Sequence, residues 1–187
     1  MEPRNSLFSL FHIKLLIKKC TLSEFSALLT ENNLSLSQLD QLFYLNRSSL
    51  MSVAISGRNW DVARFLYMNG IRMHDSYCKE GNELGVLAWY LREEGALNLA
   101  LFFLEQGVSL DYVDKKNGNT TLLTLCICIV PLQQAPYLEF LSKCLQSASS
   151  ETVFRKNKNG ANAWDCIHNH YLPSSIQHLN DTTKYSF

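Results

Sequence analysis

Apolar positions along this chain recur at helical spacing in short runs, and glycine, asparagine or proline interrupts nearly every run. Leu99, Phe102, Phe103 and Leu104 form one stripe, ended by Gly107, while Val62, Phe65 and Leu66 form another, ended by Gly70. Phe25, Leu28 and Leu29 form a third, which follows an N-cap candidate in Thr21 or Ser23 and stops near Asn32 and Asn33. The pattern predicts an all-α chain of short amphipathic helices. A greasier run begins at Leu122, but it is far short of the ~18 residues a bilayer requires and Pro131 ends it. It must be buried by other protein, and no membrane insertion is expected.

The amino end, "SLFSLFHIKLLIKKC", is apolar enough to resemble a signal sequence. Lys14 interrupts it, only Arg4 precedes it as a basic residue, and no small-x-small cleavage site follows, so it reads as retained. Leu7, Leu10, Phe11, Leu15 and Leu16 fall near one face of a helix, with Lys14, Lys18 and Lys19 toward the other face or the end. This predicts a helix over residues 1–20 that caps the open end of a core.

Self-similarity decides what buries the rest. "GNTTLLTLC", Gly118 to Cys126, has related starts upstream in "SSLMSVAISG", from Ser48, and "GVLAWYL", from Gly85. After the first helix of each unit come a glycine, a second amphipathic helix and another glycine, most clearly in "GALNLALFFLEQGVSLDYVD", Gly95 to Asp114, and again in "GRNWDVARFLYMNGIRMHD" from Gly57. A helix that stops and reverses commonly needs a left-handed residue at its end, which gives these glycines a structural task.

These segments resemble the ankyrin-repeat signature G-x-T-P-L-H-x-A-A, with Thr120 as the threonine, Leu122 as the leucine and Cys126 as the second small residue. The signature histidine is replaced by Met51, Ala88 and Leu123, and its proline by Ser49, Val86 and Thr121. The resemblance implies an all-α, ankyrin-like solenoid of helix-turn-helix repeats with degenerate helical caps. The array is expected over residues 21–172, with about three central repeats and half-repeat caps, followed by a tail over 173–187. Thr21 to Leu45 resembles the second helix of a degenerate repeat, and "KNGANAWDCIHNHYL", Lys158 to Leu172, resembles a capping half-repeat with Ala163, Trp164 and Ile167 facing in. Leu50, Leu87 and Leu122 lie 37 and 35 residues apart, against a usual period of about 33. The surplus is placed in an enlarged finger, Ile71 to Gly85, and in a longer helix-helix link around Val130 to Tyr137.

Composition then narrows function. Seventeen basic residues balance seventeen acidic ones, so no overall field draws nucleic acid or an anionic membrane. Six cysteines lack C-x-x-C spacing, which favours a reducing, cytoplasmic setting. No metal, cofactor or catalytic group is expected. "CIHNH" brings Cys166 and His170 to one helix face, but two ligands do not make a site. Cys126 and Cys128 read as core, and His74, Asp75 and Cys78 form no more than an imagined triad. A small thiol- or metal-dependent hydrolase using Cys78 or Cys166 with His170 stands as the catalytic alternative.

The resemblance implies protein recognition on fingers and a concave inner-helix surface. Aromatic residues and arginine dominate interface energetics, which singles out Tyr77, Trp89, Arg92 and Tyr112, with Lys115 and Lys116 as a basic rim. Trp89 has two readings, as a hot spot or as core between stacked helices, and the lysines can equally be solvated. Trp60 reads as a packing residue. The expected partner is a protein, for example a host protein if the chain is a bacterial effector secreted into host cytosol. In a further alternative the chain is an adaptor whose amino-terminal helix recruits a second protein such as a ubiquitin-ligase subunit, although it lacks the Leu-Pro start of such helices.

Overall fold

The computed structural model describes residues 10–74 and 81–168, which divide into two compact units on either side of Cys78 and Lys79. The described residues are helical, with no strand beyond an isolated antiparallel bridge between Val113 and Thr120.

The first unit holds α1 (Leu10–Lys19), α2 (Leu22–Glu31), α3 (Leu36–Leu45), α4 (Leu50–Ser56) and α5 (Trp60–Met68). α1 packs on α4, α2 on α5, and α4 on both α3 and α5, so two helix pairs lie side by side. Thr21 caps α2 in a capping box with Glu24, and Ser35 caps α3 in a second box with Gln38. The sequence pattern does not separate α3 from α2; the S-x-x-Q start of α3, Ser35 to Gln38, is the available signal.

The buried face of α1 differs from the expected stripe. Ile13 and Ile17 are buried, whereas Leu15 and Leu16 are 43% and 37% exposed. The helix is apolar nearly all round, so spacing alone could not say which i, i+4 pair turns inward. Its end is fixed by Asn59, whose Nδ2 donates to the carbonyls of Ile17 (2.8 Å) and Cys20 (2.7 Å) while its Oδ1 accepts the Val62 N–H at the start of α5.

Gly57 is a correction of another kind. Its φ is −80°, and the left-handed residue of that turn is Arg58 (φ 59°). A Cβ at Gly57 would meet the Lys18 Cα at 2.7 Å, so the glycine is there because α1 crosses against it. Gly70, Gly95 and Gly107 do hold the expected left-handed conformation.

The second unit holds α6 (Glu83–Leu87), a 3-10 turn (Ala88–Tyr90), α7 (Ala96–Glu105), α8 (Thr121–Ile129), a second 3-10 turn (Val130–Leu132), α9 (Ala135–Ser147), α10 (Ser150–Phe154) and α11 (Ala163–His168). α6 packs on α7 and α8, α7 on α9, and α8 on α9, α10 and α11. The run that looked membrane-like is therefore central: residues 121–126 and Ile129 are buried on all sides. In the second unit α6, a turn, α7 and a finger lead to the capped helix α8, the ankyrin layout that the sequence resembles.

The repeat register also shifts. α6 starts at Asn82, whose Oδ1 accepts the Gly85 N–H, and Leu84 is fully buried, so the second start lies three residues before Gly85. From the Ser49 cap to the Asn82 cap is 33 residues, the ordinary ankyrin period; of the expected enlarged finger, Ile71 to Gly85, residues 82–85 belong to α6 and its cap, and residues 75–80 lie outside the described residues. From Asn82 to the Thr120 cap is 38 residues. Most of that surplus sits in the link between α6 and α7, where the first 3-10 turn is inserted; the second 3-10 turn lengthens the α8–α9 link in the same way, as expected around Val130 to Tyr137.

Candidate protein-binding surface

The finger between α7 and α8 is built from its own turn residues. Leu122 N–H donates to the Leu110 carbonyl (3.1 Å), Thr121 N–H to that of Tyr112 (2.8 Å) and Asp114 N–H to that of Asn119 (2.9 Å). At the tip Gly118 takes φ 72°, and the buried Asp114 carboxylate accepts the N–H groups of Asn117 and Asn119. The base is tied down by Asn82, whose Nδ2 donates to the Ser109 carbonyl (2.7 Å) and whose Oδ1 accepts the Thr121 hydroxyl (2.9 Å).

The next finger docks on this one. Lys158 N–H donates to the Asn117 carbonyl (3.1 Å), Lys158 Nζ donates to the carbonyls of Lys115 (2.8 Å) and Lys116 (3.0 Å), and Asn157 Nδ2 donates to Asn119 Oδ1 (2.7 Å). A bond from the Thr152 hydroxyl to the Asp111 carboxylate joins the two finger bases. Two adjacent fingers are thus held as one frame by backbone and side-chain bonds.

Beside this frame lies a cleft of ≈ 130 Å³ lined by Trp89, Asp114, Lys116, Asn117, Asn119 and Thr124. Trp89 stands in the inserted 3-10 turn and is 58% exposed, so the reading of Trp89 as core falls away. Arg92 is exposed on the turn that follows, and its charge acts on Cys128, one helical turn beyond Thr124 on the same face of α8. Burial pushes the Cys128 thiol up to about 11, with Arg92 opposing that rise. Trp89 and Arg92 therefore both lie near α8.

The other singled-out residues divide. Lys116 lines the cleft; Lys115 is exposed at the same finger tip; Tyr112 is half-buried at the finger base, where its carbonyl holds Thr121; Tyr77 lies outside the described residues. The cleft residues not foreseen are Asp114, Asn117, Asn119 and Thr124. The D-x-x-N-G-N spacing of the finger signals a tight turn, but not that its polar edge would face an exposed tryptophan.

The residues of the catalytic alternative are placed differently. Burial raises the Cys166 thiol, the opposite of what a nucleophile requires, while Cys78 and His170 lie outside the described residues. His168 stacks on Trp164, with ring centroids 4.9 Å apart. His74 directs Nε2 to Asp40 at 3.0 Å and packs edge-on against Tyr44, and its imagined partners Asp75 and Cys78 are outside the described residues. Burial also raises Cys126 well above the ordinary thiol range and Cys144 to about 12. Among the described residues no group of three or more His, Cys, Asp or Glu side chains can hold a metal ion, and no helix is long and apolar enough to cross a membrane.

The chain matches no protein-family model and no curated protein. Solved structures similar to it include the Bd0816 predatory endopeptidase from Bdellovibrio bacteriovorus in complex with immunity protein Bd3460, at 15% identity over 84% of this chain and 91% of that one, with a TM-score of 0.42. Another is the ankyrin repeat domain of Bcl-3, a member of the IkappaB family, at 16% identity over 87% of each chain, with a TM-score of 0.36. The ankyrin-like character of this protein rests on its own capped helix pairs and hydrogen-bonded finger.

Proposed function

We propose that this protein is a non-catalytic recognition module that docks a partner protein on the finger frame and the adjoining turn that carries Trp89 and Arg92. The observation that carries this reading is Trp89, a large aromatic side chain held exposed beside a cleft whose walls are already fixed by hydrogen bonds. Such a surface loses little freedom on binding, so contact area converts to affinity with a small ordering cost. Arg92, Lys115, Lys116 and Tyr112 extend the surface, and Tyr77 is assigned to it by sequence alone. A cytosolic setting, either the protein's own cell or, for an effector, the host's, suits the free thiols of its core.

The test is affinity purification from a cell lysate with wild type beside Trp89→Ala/Arg92→Ala, after both are shown to melt alike. A protein retained by wild type and lost by the variant supports the reading; a protein retained equally by both refutes it. The adaptor alternative receives less support, because Ile13, Ile17 and the two bonds from Asn59 occupy α1 within its own unit. Removal of residues 1–20 is expected to leave an aggregating remnant, whereas a folded remnant that has lost one of two partners would revive the adaptor.

A further inference from the structure

We propose that the cleft beside Trp89 takes a proline-rich segment of the partner, with a pyrrolidine ring against the indole and the segment's carbonyls accepting from the donors of the cleft. This deepens the recognition reading and rests on it. The starting point is Asn119, a buried residue (7% exposed) that lines the cleft. Asn157 Oδ1 accepts the N–H groups of Asn159 and Ala161, both at 2.9 Å, so the Asn157 amide presents its NH2 to Asn119. Asn119 therefore accepts with Oδ1 (2.7 Å), and its own Nδ2 is left with no partner among the described residues. Among the described residues no unpartnered side-chain nitrogen or oxygen is sealed from solvent, so the little surface that Asn119 keeps includes this amide. The NH2 is the group that Asn119 has to offer there.

The rest of the lining repeats that bias toward donors. Trp89 Nε1 and Lys116 Nζ likewise have no partner among the described residues. On the acceptor side, both Asp114 oxygens are engaged by the N–H groups of Asn117 and Asn119, and Asn119 Oδ1 is engaged by Asn157. What remains for an incoming N–H is the Asn117 side chain and the oxygen of the Thr124 hydroxyl, whose hydrogen goes to the Thr120 carbonyl (3.2 Å). An ordinary polypeptide brings an N–H with every carbonyl, and burying one without an acceptor is costly. Proline brings the carbonyl without the N–H, its ring offers an apolar face to the indole, and its extended helix is ordered before it binds. Charge agrees: Asp114 and Lys116 are the charged side chains of the lining and they cancel, so the cleft has no net charge to select an anion or a cation. At ≈ 130 Å³ the cleft is smaller than the ~300 Å³ and upward of small-molecule sites, so it suits one residue of a continuing chain.

Heteronuclear NMR on the isotope-labelled full chain tests this with three octapeptides blocked at both ends: octaproline, alternating glycine and serine, and octaglutamate. Octaproline should move the Trp89 indole and Asn119 side-chain amide signals together, giving one Kd that added salt leaves unchanged. The indole signal is assigned by its loss in Trp89→Phe. The other two peptides should bind about tenfold more weakly or worse. Trp89→Phe keeps a ring but removes the indole N–H, and should weaken octaproline by about three- to tenfold; Trp89→Ala should weaken it further. Position 89 is exposed, so both variants should melt as wild type does. Unmoved signals with octaproline, equal binding of the glycine-serine peptide, or a Trp89→Phe protein that binds octaproline as wild type does overturns the proposal. Tighter, salt-sensitive binding of octaglutamate overturns it too, because the cleft would then select charge. The recognition reading fails separately. It falls if the partner captured from lysate is kept equally by Trp89→Ala/Arg92→Ala, and it stands without the proline assignment if that partner is lost while octaproline is ignored.

Discussion

Asn59 ends one helix and begins another with a single side chain: its amide closes the carbonyl end of α1 and its oxygen caps α5. Asn59→Ala should lower unfolding stability by about 2–3 kcal/mol, the sum of a lost cap and two lost bonds, readable by urea titration. Gly57→Ala should lower it by about 1–3 kcal/mol, because the new methyl meets the Lys18 Cα as well as its Cβ and Cγ, so moving the side-chain end does not relieve the clash. The buried thiols give a pH dependence. The folded values of Cys128 (about 11) and Cys144 (about 12) lie above the ordinary 9.0, so the unfolded chain releases those protons first. Their contribution is complete below pH ~9 and is lost as pH rises through the folded values. Melting temperature should therefore fall progressively in alkali, and Cys144→Ala should flatten that decline while lowering the neutral-pH value. An unchanged alkaline slope in that variant would contradict the burial of this thiol.

At the scale of helices, the sequence carried some elements plainly and hid others for identifiable reasons. The stripe of α5 is readable because Asp61 and Arg64 separate its apolar face, and that of α7 because Gly95 and Gly107 bound it; Val62, Leu66, Leu99, Phe102 and Phe103 are buried, while Phe65 and Leu104 are half-buried. The α1 face was not readable, since Leu15, Leu16, Ile13 and Ile17 offer competing stripes. The α6 start was misplaced by three residues because "GVLAWYL" imitates a repeat start, while the true signal was the cap Asn82 followed by Leu84. Asn82 now explains more than a helix start, because it also binds Ser109 and Thr121 and so ties α6 to the finger and to α8. Asn82→Ala should cost about 2–4 kcal/mol, more than an isolated cap, and amide hydrogen exchange should quicken at Leu122 and Thr121 as the finger base loosens. Exchange confined to the α6 amides would show that the tie to the finger carries little.

For the molecule as a whole, a net charge of zero was true and uninformative about the surface. Charge is sorted by the fold: Asp114 is buried into one finger, and Lys158 of the next finger donates to the carbonyls of Lys115 and Lys116, 43 and 42 residues away in sequence. That juxtaposition could not be read from either segment, because it depends on Lys158 crossing to the neighbouring finger. Trp89 and Lys116 were visible as candidates from residue type, but the cleft between them depends on the inserted 3-10 turn.

The decisive measurement is the Kd of the partner captured from lysate, taken by calorimetry for wild type and for Trp89→Ala at matched stability. The account predicts that the single truncation weakens binding by about thirtyfold or more, the signature of an interface hot spot. An unchanged Kd would contradict the account and move recognition off the surface shared by Trp89 and the finger.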